Sequence, residues 1–388
     1  MNSKHSDYSG YSDSSNEHLV YTLALTRMTG FTSQTALQLY RELGSGWAVY
    51  EHRHDLPDVV PDCSPRLVAA LQDWSEALAR AEVELAFIER HKIKPLLLGN
   101  PDYPQRLIEC PDAPIVLFYM GKADLNQQRV INIVGTRHAT IYGQDLIRHL
   151  VADLKILGVK PLIVSGLAYG IDICAHREAL GQGMETVGVL AHGLDELYPS
   201  HHRNTAKEML AQGGLLTEYM SETRADKLNF VRRNRIVAGI SDATILVESA
   251  IKGGGLITCG IAMDYNRPVF AFPGAVGAPY SEGCNQLIRN NGAQLITSAT
   301  DLVASMGWQT DQQLLQSKQA GIERSLFVDL SEEELAVVNV LKDLGDIQLN
   351  MLAVKTNISI GKLTALLFQL EMKGVVRTMA GGCYHLLA

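Results

Sequence analysis

"VINIVGTR", Val130–Arg137, carries four aliphatic side chains in its first five positions and then turns on a glycine. A strand that is apolar throughout, rather than at alternate positions, is buried on both faces. The same texture returns in "PLIVSG" (161–166), "ETVGVLAHG" (185–193), "LLTEY" (215–219), "ATILVES" (243–249), "PVFAFPG" (268–274) and "AQLITS" (293–298). Amphipathic stretches such as "GQDLIRHLVADLKILG" (143–158) and "SHHRNTAKEMLAQGG" (200–214) separate most of these runs. Strands joined by helices imply a parallel sheet with helices on both sides. The expected fold class is therefore α/β: a doubly wound, Rossmann-like parallel sheet over about 126–305, with 92–125 as its lead-in.

Outward from this centre the pattern changes twice. Residues 18–91 read as a small N-terminal helical domain, because "HLVYTLALTRM" and "TSQTALQLYRELG" space their apolar residues helically and Gly30 and Gly44 stand at helix stops. Residues 1–17 are polar and read as a disordered tail. The Gln-rich stretch 306–325 reads as a linker. Residues 326–388 then give three helices, the first opened by a Ser331–Glu334 capping box, and a hairpin turning at Gly381-Gly382. That is a winged-helix pattern.

Composition excludes several classes. The chain of 388 residues has a formal charge of -8, so it is no polycation, and polyanion binding requires a local patch. No apolar run approaches a membrane span, and the first residues do not resemble a secretory signal. The six cysteines, without any Cys-x-x-Cys pair, suggest reduced thiols and a cytoplasmic setting. Neither a metal nor a cofactor is expected: His201-His202 lacks further ligands at sensible spacing, no G-x-G-x-x-G follows the first central strand, and no Walker A sequence occurs.

The sharpest basic excess is Arg224–Arg235, with five basic residues against Asp226 alone. A helix over Val231–Ile240 would bury Ile236, Val237 and Ile240 and set the arginines on an exposed first turn, against the helix dipole. A bound phosphate would remove that conflict, and arginine suits forked hydrogen bonding to it. The structural alternative is an arginine paired with Glu218 or Glu248, with Asn234 holding a loop. Other candidates leave strand ends, where open α/β sheets bind ligands. They are Arg137; Ser165 and Gly166; His202 and Arg203; and Lys252 with Gly253 and Gly254. Any one such glycine loop is as readily a packing device, and only their convergence would make a site.

"IVGTR" (133–137), "SGLAYGIDICAH" (165–176), "FVRRNRIVAGIS" (230–241) and "GGGLIT" with "FPG" and "GCNQLI" (253–288) follow one another as in the DNA-processing protein A (DprA/Smf) family, which the chain resembles over roughly 95–305. The resemblance implies a non-enzymatic protein that binds single-stranded DNA without sequence preference, protects incoming DNA and loads the RecA recombinase in natural transformation. It implies a SAM/helix-hairpin-like front domain within 18–91, an extended Rossmann-like DNA-binding domain over 92–305, and a homodimer with Ile288 and Leu295 near the self-interface. It also implies DNA contacts from Arg137, from residues near His202 and Arg203, and from the Arg-Asn-Arg element, Arg233, Asn234 and Arg235, beside Arg232. Departures are Thr136 for serine, Val231 for proline, and Gly253-Gly254-Gly255 for Ser-Gly-Ser, which leaves only backbone N–H groups or Lys252 to meet phosphate. Two rival functions stay open. One is a nucleotide-cleaving phosphoribohydrolase of the lysine-decarboxylase-like type, for which "KGGGLITCG" lacks the glutamate. The other is duplex regulation through the winged helix, whose third helix, 359–373, offers only Lys362 and Lys373 against Glu371.

Overall fold

The computed structural model describes residues 13–61, 63–308, 330–373, 375–379 and 381–387. Its centre is a nine-stranded sheet. In chain order the strands are β1 (Lys94–Leu97), β2 (Val116–Gly121), β3 (Val130–Val134), β4 (Leu162–Ser165), β5 (Thr186–Val189), β6 (Gly214–Thr217), β7 (Ala243–Leu246), β8 (Val269–Ala271) and β9 (Gln294–Leu295). In space they run β1-β2-β6-β5-β4-β3-β7-β8-β9. From β6 to β9 every pair is parallel, whereas β2 lies antiparallel to both β1 and β6.

Burial on both faces explains the unbroken apolar runs. Along β3, Val130 and Val134 enter one core, while Ile131 and Ile133 enter the core on the opposite face. The helices Ile141–Ile156 and Ile171–Gly181 supply the second core through Ile147, Leu150, Val151 and Ala175. The helix Lys227–Gly239 covers the first face with Ile236 and Val237. Buried polar Asn132 on β3 is matched across to β7, donating to Thr244 Oγ1 at 2.8 Å.

The front helices share the first core. The helix Asp13–Arg27 packs on Ser75–His91, and buried Glu84 takes hydrogen bonds from the Ser221 N–H (3.0 Å) and hydroxyl (2.6 Å) of the α/β domain. Arg80 reinforces the joint, donating to Ser221 O at 2.7 Å. The expected disordered tail falls outside the described residues for 1–12, but from Asp13 the chain is helical, which corrects its last five residues. The linker expected over 306–325 also begins too early. Met306 and Trp308 are buried in the second core, and 309–325 lies outside the described residues.

The C-terminal unit comprises the helices Glu332–Leu344, Leu349–Thr356 and Ile360–Met372 and the strands β10 (Ile347–Gln348), β11 (Val376–Met379) and β12 (Cys383–Leu386), ordered β10-β12-β11. It is a winged-helix domain with its own core around Leu341, Leu352, Leu363 and Leu367. Ser331 and Glu334 form the reciprocal capping box. This domain docks at the amino ends of β3 and β7, where Gln348 Nε2 donates to Asp242 O at 3.1 Å. Among the described residues no single helix is long and apolar enough to cross a membrane.

Candidate nucleic-acid interface

Because β4 and β7 flank β3 on opposite sides, the chain reverses its direction of winding there, and a crevice opens outside the carboxyl ends of these strands. The crevice is a cavity of about 300 Å³. Three loops and two helices meet in it: the turn after β3 (Gly135–Arg137), the loop after β4 (Gly166–Asp172), the turn ahead of Gly254–Asp264, the first turns of that helix, and one face of Lys227–Gly239.

The loops are fastened to one another first. Thr136 N donates to Glu248 O at 2.7 Å, and Ile171 N donates to Thr136 O at 3.1 Å. Gly170 adopts φ +78, and a Cβ there would strike the backbone of Thr136 and Arg137, so the tight crossing of the two loops requires glycine. Asp172 accepts from Gly166 N at 3.1 Å and is almost wholly buried. Burial pushes its carboxyl above the ordinary range, with Arg233 and hydrogen bonds opposing.

The helix Lys227–Gly239 begins four residues earlier than expected. Asp226 caps it, its side chain accepting from Asn229 N at 2.9 Å. The arginines therefore sit in its second and third turns, so the expected conflict with the dipole does not arise. Its faces then separate them. Lys227, Phe230, Arg233, Asn234 and Val237 face the crevice, as helical spacing dictates, while Arg232 and Arg235 point into a neighbouring groove.

Arg233 forms the floor. It is 3% exposed, donates through Nη1 to Val189 O, and leaves Nε buried without a partner among the described residues. Among the described residues no carboxylate lies within ion-pair distance, although Asp172 opposes from further off, and burial pulls its pKa down. Gly166 is what admits the guanidinium, because a Cβ at that position would collide with it. Above the floor stands the ring of Phe230, with the guanidinium carbons of Arg137 at 5.0 Å and Arg233 at 5.9 Å from its centroid. Arg137 is exposed at the mouth. The helix Gly254–Asp264 brings an N-terminus with no side-chain cap to the same space; Gly253 N is used by Ala250 O, whereas Gly254 and Gly255 present their N–H groups as a helix start does.

Of the expected site residues, the structure thus gathers Arg137, Gly166, Arg233, Asn234, Gly253 and Gly254. Six others lie outside the crevice, and for Ser165, His202 and Arg235 burial or an ion pair corrects the expected DNA contact. Ser165 is fully buried, and its hydroxyl donates to Ile133 O at 2.6 Å, stitching two strands. His202 is 4% exposed, bonded through Nδ1 to Leu167 O at 2.9 Å and packed edge-on to Tyr169 at 5.0 Å; burial lowers its pKa and favours the neutral ring. Arg235 is paired with Glu218, the structural alternative the sequence allowed. Arg203, Arg232 and Lys252 are exposed but do not line the crevice. Phe230 and Lys227 were missed, although both precede the arginines at helical spacing on the crevice face. On the winged helix, Lys362 and Lys373 are tied to Glu333 and Glu334, while Phe368 and Met372 are exposed. That face offers phosphate little.

Comparison with known proteins follows the same divisions. Residues 94–307 match the family model described as DNA recombination-mediator protein A, and residues 328–382 match the DprA winged helix domain. Protein Smf of Synechocystis sp. is 40% identical over 228 residues, covering 57% of this chain and 56% of its own, so the chain spans about half of that relative. DNA processing protein DprA of Bacillus subtilis is 36% identical over 250 residues, 62% of this chain and 83% of its own. The X-ray structure of DNA processing protein A from Streptococcus pneumoniae superposes with a TM-score of 0.63 at 31% identity, covering 74% of this chain and 97% of that one.

Proposed function

Because the chain belongs to the DNA recombination-mediator protein A family, we propose that it binds single-stranded DNA, without sequence preference, in the crevice beyond β3, β4 and β7. The observation that carries this reading is the set of cations around Phe230. Arg137, Lys227 and Arg233 converge with the bare helix start at Gly254 on one aromatic face, in a molecule of net charge -8. Cations and main-chain amides suit phosphates, and an aromatic face suits an unpaired base of any identity. Among the described residues Asp172 is the sole acid lining the crevice, and its bond to Gly166 N gives it the role of holding the loop rather than attacking a sugar.

In this reading the protein is not an enzyme. It shelters incoming strands in the cytoplasm and passes them to RecA during natural transformation. It acts as a homodimer, for which exposed Leu295 on the edge strand β9 and half-buried Ile288 supply apolar surface. Duplex regulation through the winged helix has less support, since both lysines of its third helix are neutralised.

A salt titration with single-stranded and duplex oligonucleotides tests the reading. Three neutralised phosphates predict a slope of log affinity on log salt near about -2, at about -0.7 per phosphate for single strands. Single strand should bind more tightly than duplex, because stacked and paired bases cannot reach Phe230. Equal affinity for both, or release of free base from a nucleoside monophosphate, would sink it.

A further inference from the structure

A second cavity, of about 1000 Å³, lies on the other side of Lys227–Gly239, between that helix and the front helices Asp13–Arg27 and Ser33–Leu43. Val231, 45% exposed, lines both this groove and the crevice, so the two are separated only by the ridge of one helix. Three features of the groove face its open space. Arg27 and Arg232 are exposed on its opposite walls and have no ion-pair partner among the described residues. The start of Ser33–Leu43 opens into it. Thr32 caps that helix by accepting from Thr35 N, and Ser33 and Gln34 keep their N–H groups without an acceptor among the described residues, with no acid in the first turn. Half-buried Phe31 and Tyr219 add aromatic surface.

Acids are present as well, but each is committed. Asp112 and Glu218 face Arg235, and Asp226 caps Asn229 N. Arg235 holds one further nitrogen, Nη1, buried without a partner among the described residues. Three acids and three arginines leave the groove formally neutral, and the cations without an ion-pair partner among the described residues are Arg27 and Arg232. We infer that the groove is a second stretch of the nucleic-acid path: a single strand seated in the crevice crosses the ridge at Val231 and runs between Arg232 and the start of Ser33–Leu43. The front helical domain is then part of the binding surface, not an appendage fastened at Glu84 and Ser221. The physical case is the same combination of cations, unused amides and aromatic faces that serves single strands elsewhere.

This rests on the function proposed above, and oligonucleotide length separates the two. The full chain and its Arg27→Gln, Arg232→Gln double variant are titrated with oligothymidylates of about 4 and about 12 nucleotides, lengths that bracket one short binding site. The groove predicts that the variant binds the short strand as the parent does and weakens about tenfold or more for the long one. Its salt slope for the long strand should be shallower by about 1.4, because two phosphates are no longer neutralised. Both substitutions are on exposed side chains, and unfolding in urea confirms the fold. Unchanged binding of both lengths, or equal weakening for both, overturns the groove while leaving the crevice standing. If the parent binds neither strand, the proposed function fails and the groove falls with it.

Discussion

Two buried arginines stand at opposite ends of the same parallel sheet, and they are treated in opposite ways. At the amino ends of β3 and β7, Arg106 is 1% exposed and held by both oxygens of Asp242, at 2.6 and 2.9 Å. It also donates to Gln127 O and Gln128 O, and the winged-helix domain covers the neighbouring Asp242 carbonyl. At the carboxyl ends, Arg233 is equally buried but has a single acceptor among the described residues, Val189 O, no ion pair there, and an open crevice above it. A buried charge without a counter-ion is costly, and a fold retains one where the missing partner arrives from outside. Residue type and burial are alike at the two ends, and each guanidinium keeps one buried nitrogen without a partner among the described residues, Nη1 of Arg106 and Nε of Arg233; what distinguishes fastening from binding is the carboxylate that only Arg106 holds.

The contrast is broken most forcefully at the closed end. Asp242→Ala leaves Arg106 buried without its carboxylate and should cost about 3–5 kcal/mol in a urea unfolding experiment, with single-strand affinity unchanged in the folded fraction. At the open end the expectation reverses. Arg233→Met should leave stability within about 1 kcal/mol of the parent, since it removes an uncompensated buried charge, yet weaken single-strand binding at least about tenfold. A large stability loss with unchanged affinity would make Arg233 a structural residue like Arg106 and erase the distinction.

A smaller effect sharpens the comparison through pH. Behind the crevice floor His176 is fully buried, with Nδ1 against Thr186 Oγ1 at 2.7 Å. Burial, aided by His202 and Arg233, holds its pKa down at about 3. An unfolded histidine titrates near about 6.5, so on acidification the unfolded chain takes the proton first. The stability is thus complete above about pH 6.5 and drains away as pH falls toward the folded value, by about 2–3 kcal/mol at pH ~4.5. Urea midpoints measured across that range check it, and His176→Gln should flatten the profile.

How much of this was legible in the sequence varies with the kind of fact. Runs such as "VINIV" and "ATIL" announced β3 and β7, because burial on both faces leaves no polar position to confuse the reading. The antiparallel β1 and β2 were absorbed into a featureless lead-in, since strand order depends on pairing between distant segments. The start of the arginine helix was available in "ADKLN", where Asp226 precedes Asn229 at capping distance, but the conspicuous cations lie one turn further on and mask it. Helical geometry alone separates Arg233 from Arg235, which lie two residues apart and so point to different sides. His202 is not recoverable in this way. Whether a histidine after a turn faces solvent or packs beneath Tyr169 depends on a neighbour supplied by another loop.

The contact between Gly166 and the Arg233 guanidinium has an evolutionary corollary. Any side chain acquired at 166 evicts the cation, so after that change the identity of residue 233 matters little to the crevice; after loss of the arginine, a side chain at 166 meets no obstacle from it. Harm from the two substitutions should saturate rather than accumulate, and lineages that part with one have little reason to keep the other.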